Sequence, residues 1–168
     1  DADSESLQAN NPTYTNFEPS SSRLLRFLSL LEHGRAMPDL GIKLALFCSG
    51  MECLFSRESE KNEIVHRVAE KTAFLLEQDP SKRKAIYKGV KQAYDLRSAV
   101  LHGVSISNKD LPKLRKVCLE TDAILRKIFT QIVLNPDLFK LFTQDEERLQ
   151  EFFLELLFSG TAKEINWK

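Results

Sequence analysis

The sequence predicts an all-α fold, a compact bundle of about five to seven helices. Apolar residues recur every three or four positions over long stretches of the 168 residues, and no stretch alternates with period two or is enriched in β-branched residues as a strand would be. The chain is 42% hydrophobic and 29% charged, which is typical of a soluble globular protein with one core. We therefore expect one helical domain over residues 21–168, preceded by a flexible, polar N-terminal arm over residues 1–20.

The first three helices follow from apolar spacing. Residues 22–33 carry one apolar stripe, and Gly34 is expected to end that helix. Residues 41–56 are apolar on nearly every face, which predicts a central helix packed on several sides. The third helix is predicted over about residues 60–78, with one apolar stripe and a charged opposite face.

The fourth helix has the clearest start and stop signals. Asp79 is a good N-cap, and Pro80 fits the first helical position because a proline there loses no hydrogen bond. The helix is predicted over residues 80–102, and Gly103 ends it.

The last part of the chain predicts two further helices. One spans about residues 110–134 and is broken by Asn135 and Pro136, which can begin a short turn. Thr143 and Glu146 have the spacing of a capping box, which predicts that the final helix begins there; Gly160 is expected to close it.

Membrane insertion and secretion are not expected. The longest nearly apolar stretch, residues 44–55, has about a dozen residues and contains Glu52, whereas a membrane span needs ~20. The N-terminus lacks the basic start and apolar run of a secretory signal. Because the chain begins with Asp1, we expect it to be part of a longer protein with further domains.

The three cysteines predict reduced thiols in a cytoplasmic setting. Cys48, Cys53 and Cys118 are odd in number and lie in apolar helical patterns, where cysteine acts as a small hydrophobic residue. No C-x-x-C or H-x-x-x-H spacing occurs, so neither a metal site nor a cofactor is predicted.

Positive charge is concentrated in the middle of the chain. The formal net charge is zero, but residues 79–118 contain ten Lys or Arg against three Asp, and both flanks are acidic. Such a segment can bind the phosphates of RNA; the alternative is a solvated lysine-rich face. The candidate RNA-binding residues are Lys82, Arg83, Lys84, Lys88 and Lys91.

Arg97 lies where the fourth helix should be apolar. The stripe that it interrupts consists of Ile86, Val90, Ala93, Tyr94 and Leu101. An isolated charge on an interior face is costly, so Arg97 must pair with a carboxylate, such as Glu52, or border a cleft. In the second case Arg97 and His102 can bracket a phosphate, since His can transfer protons near neutral pH. The two side chains lie about 140° apart on an ideal helix, so they converge only in a groove between helices or subunits, or if the helix tightens.

The segment from Tyr94 to Gly103, Y-D-L-R-S-A-V-L-H-G, resembles the R-x4-H motif of HEPN domains, particularly the ApeA-like branch. The upstream residues 51–55 and a helix with Glu63, Arg67 and Ala69 are similar to that branch as well, and the resemblance covers roughly residues 40–130.

This resemblance implies a homodimeric, metal-independent endoribonuclease in which Arg97 and His102 are catalytic, and a role as the effector of a prokaryotic antiviral defence or toxin system. Asn, Asp or His often follows the arginine in active members, whereas Ser98 does here. Ser98 and Asp95 are positioned to orient the imidazole, one turn and two turns before it. The alternatives are a non-catalytic HEPN-like module that dimerises or binds RNA or nucleotide, and a helical scaffold without a ligand.

Overall fold

The structure is a computed structural model that describes residues 23–56, 63–103, 107–144 and 146–159. These ranges contain helices and no strand, which confirms the all-α prediction. The helices are α1 (Arg23–Ala36), α2 (Leu40–Phe55), α3 (Ile64–Leu76), α4 (Pro80–Leu101), α5 (Leu111–Leu134), α6 (Pro136–Gln144) and α7 (Glu146–Ser159). The predicted arm, residues 1–20, and the predicted ends at residues 60 and 160 lie outside the described residues.

Helix α2 is the centre of the bundle, as its apolar character predicts. It packs against α1, α3, α4 and α5. Its largest side chains, including Leu44, Phe47, Met51, Leu54 and Phe55, are buried. A residue on α2 therefore contacts several other helices, and the half-buried Glu52 lies among them.

The C-terminal helices close one end of the core through aromatic contacts. Phe55 meets the rings of Phe142 and Phe153 edge to face, with centroids 6.2 and 5.6 Å away. The buried Lys71 donates from Nζ to the backbone oxygen of Phe55 at 2.8 Å and to Oε1 of Gln150 at 3.3 Å. This lysine therefore joins the end of α2 to α7.

The predicted stop of the first helix is wrong. Helix α1 continues through Gly34 to Ala36. A Cβ atom at Gly34 would lie 2.7 Å from Cε1 of Phe47, so a glycine is needed where α1 approaches α2. The packing of α1 on α2 outweighs the cost of a glycine inside a helix, which is roughly 1 kcal/mol.

The predicted capping box is also wrong. Thr143 lies inside α6, where its hydroxyl donates to the backbone oxygen of Phe139 at 2.8 Å. Asn135 caps the start of α6: its Oδ1 accepts from the backbone N–H groups of Asp137 and Leu138 at 3.0 and 3.2 Å. Pro136 therefore begins a nine-residue helix rather than a short turn.

Helix α4 begins and ends as its sequence predicts. The carboxylate of Asp79 accepts from the backbone N–H of Lys82 at 2.9 Å. Gly103 adopts a φ of 76°, a left-handed conformation that glycine tolerates and that ends a helix. None of the helices in the described ranges combines the length and apolar character that a membrane span requires.

Candidate functional site

Helix α4 carries the candidate residues, and its C-terminal end is fixed against α2. It packs on α2, α3 and α5. At the crossing with α2, a Cβ atom at Gly41 would lie 2.3 Å from Cγ1 of Val100. Only glycine permits this approach, so Gly41 sets how closely the last turn of α4, beside the R-x4-H segment, lies against α2.

Arg97 forms an ion pair with Glu52. Its Nη1 donates to Oε1 of Glu52 at 2.8 Å, and the two side chains are 27% and 26% exposed. The carboxylate pairing that the sequence offered for Arg97 is therefore present. A guanidinium has five N–H donors, and Nε of Arg97 is buried without a hydrogen-bond partner among the described residues. Glu52 thus orients the guanidinium while engaging only part of its donor set.

Two neutral polar groups lie under this ion pair. The hydroxyl of Tyr94 donates to the backbone oxygen of Cys48 at 3.2 Å. Burial, followed by the charge of Glu52, raises the pKa of the Tyr94 phenol far above its usual range. Burial also raises the pKa of the Cys48 thiol to about 12, although Arg97 lowers it and Glu52 raises it further. Both groups stay protonated at neutral pH, so neither is a nucleophile.

His102 is exposed and follows the last residue of α4. Its backbone N–H bonds to the oxygen of Ser98 at 3.0 Å, the ordinary α-helical spacing, and the shorter-range turn begins only at Gly103. The helix therefore does not tighten before His102, and Arg97 and His102 remain about 140° apart around its axis. The imidazole makes no hydrogen bond with any residue that the structure describes.

Ser98 and Asp95 lie on the same side of α4 as His102, and both are exposed. Within the described ranges, neither side chain is hydrogen-bonded to the imidazole. The one-turn and two-turn spacings place these groups along one face without locking them together. They are available to a ligand that lies on that face.

The five candidate RNA-binding residues do not form one surface. Lys84, Lys88 and Lys91 are exposed, and they form no ion pair with a described residue. Lys82 is exposed on a different side of α4, rotated by about 200° from Lys84. Arg83 is half-buried: its Nε donates to the backbone oxygen of Glu77 at 2.7 Å, and its Cζ lies 4.2 Å from the ring centroid of Phe74.

An aromatic pair that the sequence does not predict lies beside these lysines. Nδ1 of His66 on α3 and the hydroxyl of Tyr87 on α4 are hydrogen-bonded at 2.7 Å, and the rings meet edge to face with centroids 5.7 Å apart. His66 is exposed and Tyr87 is half-buried. No spacing rule joins residues on different helices, so no sequence signal could have identified the pair.

Metal ligands are not clustered in the described ranges: no group of three or more His, Cys, Asp or Glu side chains is placed to hold a metal ion there. The candidate site consists of Arg97 with Glu52, and of an exposed face of α4 that ends at His102. Its chemistry is that of a fixed cation and an accessible imidazole.

Comparison with known proteins finds no matching family model, no matching curated protein and no matching solved structure. The resemblance of residues 40–130 to HEPN domains therefore stays a prediction.

Proposed function

We propose that this chain is a metal-independent endoribonuclease domain of the HEPN type that acts as a homodimer, with Arg97 and His102 as its catalytic residues. The observation that carries the proposal is the Arg97–Glu52 pair, in which one N–H of the guanidinium is bonded and the side chain stays 27% exposed. An arginine held in this way presents an oriented positive charge at an accessible edge. His102 supplies an exposed imidazole at the end of the same helix.

In the proposed reaction, His102 moves a proton between two oxygens of the RNA. Removal of the 2′-OH proton lets the 2′-oxygen form a bond to the adjacent phosphorus, while the bond from phosphorus to the 5′-oxygen breaks and that oxygen receives a proton. Arg97 stabilises the negative charge that builds up on the phosphate, and Glu52 keeps the guanidinium in place. The products are a 2′,3′-cyclic phosphate and a 5′-hydroxyl.

A second copy of the chain completes the site in this proposal. Arg97 and His102 of one chain point about 140° apart, so one phosphate can contact both types of side chain most readily where two α4 helices face each other. Exposed apolar residues near the motif support such a contact. Leu101 and Leu111 are 57% and 41% exposed, and Leu111 lines a groove with Gly41 and Val100.

A non-catalytic module that dimerises or binds RNA or nucleotide is the second candidate. The same ion pair favours it if Glu52 serves only to neutralise Arg97 in the half-buried interior. Ser98, in place of the Asn, Asp or His often found in active members, also favours it. The two candidates differ in whether His102 matters, because a merely structural Arg97 gives His102 no function.

The deciding experiment is RNA cleavage by the purified chain in EDTA, with detection of 2′,3′-cyclic phosphate ends. Arg97→Ala and His102→Ala should each reduce the rate by about 10²–10⁴-fold, the usual contribution of acid–base or charge-stabilising groups. Gln131→Ala, an exposed substitution on α5, is the control and should cleave normally. A wild-type chain that cleaves no RNA, combined with a destabilised Arg97→Ala variant, supports the non-catalytic module instead.

A cytoplasmic location, attachment to further domains and a role in antiviral defence or as a toxin belong to the same proposal. They rest on the resemblance and on the three unpaired cysteines.

A further inference from the structure

We infer that the exposed face of α4 is a track for single-stranded RNA that leads to His102. The inference rests on the proposed ribonuclease function and names the form of RNA that the site accepts. Six residues separated alternately by four and three positions form this face, and all are exposed. They are Lys84, Lys88, Lys91, Asp95, Ser98 and His102.

The spacing places these residues on one line along the helix. Alternating steps of four and three residues rotate the side chains by about 40° one way and about 60° the other, so they stay on one side of the helix, and the line from Lys84 to His102 is ~27 Å long. Successive lysines are one turn apart, roughly 5–6 Å between side-chain origins, which suits contact with successive phosphates of one extended strand. We call this row of six residues the α4 track.

The lysines of the α4 track are available to a ligand. In a chain of zero net charge, Lys84, Lys88 and Lys91 form no ion pair with a described residue. Asp95, one turn from Lys91, forms no ion pair with it either. The α4 track carries three lysines and one Asp, so its net charge is positive, and the positive charges lie in the half farther from His102. A positive surface favours a polyanion over a neutral ligand.

The His66–Tyr87 pair distinguishes a single strand from a duplex. It borders the track, since Nζ of Lys91 lies 5.9 Å from the ring centroid of Tyr87. The hydrogen bond of 2.7 Å between His66 and Tyr87 holds the exposed imidazole of His66 in one orientation beside the track. Bases stack on such rings only when they are unpaired, whereas a duplex keeps its bases inside and offers only phosphates and riboses.

The experiment measures fluorescence anisotropy of a labelled 12-nucleotide 2′-O-methyl oligouridylate and of an RNA duplex of the same length. The 2′-O-methyl group removes the attacking hydroxyl, so binding is measured apart from cleavage. The variants are the double reversal Lys84→Glu/Lys91→Glu on the track and His66→Ala beside it. The control is Lys127→Glu/Lys140→Glu, an equal change of charge at exposed lysines of α5 and α6.

We expect the track reversal to weaken single-strand binding at least tenfold more than the control reversal, and to reduce its salt dependence. His66→Ala should weaken single-strand binding about fivefold or more and leave duplex binding unchanged. Lys82→Glu should weaken binding less than Lys84→Glu, because Lys82 lies on another side of α4. Circular dichroism melting of each variant shows that the fold is retained.

Equal effects of the track and control reversals would overturn the inference, as would tighter binding of the duplex than of the single strand or a His66→Ala variant that binds like the wild type. The proposed function fails separately. Strand binding that depends on the track, without cleavage of ordinary RNA, would refute the ribonuclease and keep the track. Cleavage of ordinary RNA at an unchanged rate after the track reversal would refute the track and keep the ribonuclease.

Discussion

Nη1 of Arg97 and Oε1 of Glu52 lie 2.8 Å apart and join the C-terminal part of α4 to the central helix α2. The pair lies above Tyr94, whose ring centroid is 5.6 Å from Cζ of Arg97. A charge on an otherwise apolar stripe is thereby both compensated and held in a fixed orientation. Stability and proposed catalysis thus depend on the same side chain.

Removing either partner of this pair should destabilise the fold. Arg97→Met and Glu52→Gln should each lower the free energy of unfolding by about 1–3 kcal/mol, less than the 3–5 kcal/mol typical of a fully buried pair, because both side chains are about a quarter exposed. Urea denaturation of both single variants and the double variant gives the coupling energy, expected to be about 1–2 kcal/mol. Strictly additive effects would show that the pair contributes nothing to stability.

Two glycines should respond oppositely to alanine. Gly41→Ala places a Cβ 2.3 Å from Cγ1 of Val100, so α2 and α4 must separate, at a cost of about 1–3 kcal/mol. Gly89→Ala places its Cβ no closer than 3.9 Å to Cδ1 of Ile124, and should stabilise the helix by about 0.5–1 kcal/mol. Thermal unfolding of the two variants tests this contrast. A Gly41→Ala variant as stable as the wild type would mean that α2 and α4 lie farther apart at this crossing than the structure shows.

Mixing two inactive variants tests whether the proposed site is shared between chains. If Arg97 of one chain acts with His102 of its partner, a heterodimer of Arg97→Ala and His102→Ala chains retains one intact site. Equal mixing should then restore about one quarter of the wild-type cleavage rate, since half of the dimers are mixed and each has one of two sites. The unmixed variants are the controls. If chain exchange is verified and the cleavage rate still does not recover, both residues of a site lie in the same chain.

The proposed dimer should depend on the apolar end of α4. Leu101→Lys puts like charges into an interface that contains this residue, so the dimer should dissociate, whereas a monomer should lose little stability because Leu101 is 57% exposed. Leu154→Lys on α7, at 56% exposure, is the matched control. Sedimentation velocity at tens of micromolar separates the species. A wild-type chain that is monomeric at that concentration would contradict the dimer.

Alkaline pH should destabilise the fold through Cys48. Its pKa is raised from 9.0 to about 12 in the folded state, so between these values the unfolded chain loses a proton that the folded chain keeps. Stability contributed by the protonated thiol is complete below pH 9 and falls by about 1 kcal/mol per pH unit toward pH 12. Urea titrations at pH 8, 9.5 and 10.5 measure the slope. Cys48→Ala should have a shallower slope, and parallel slopes would contradict this origin.

Local rules explain which parts of the fold the sequence could predict. Helix α4 was predicted well because Asp79, Pro80 and Gly103 act through bonds within one turn of themselves. The helix end predicted at Gly34 is wrong because the role of this glycine is to admit Phe47 of another helix. The capping box predicted at Thr143 is wrong for a related reason: whether a threonine caps a helix or lies inside one depends on how the adjoining helices pack.

The all-α class, the central helix α2 and the anomalous position of Arg97 on an apolar stripe can be read from the order of the residues. Hydrophobic periodicity and caps are sufficient for these, since they act between residues close along the chain. Three contacts depend instead on how the helices pack: Glu52 pairs with Arg97, Arg83 lies over Phe74 and His66 meets Tyr87. Such contacts depend on the rotation and separation of packed helices, which no spacing within a single helix specifies.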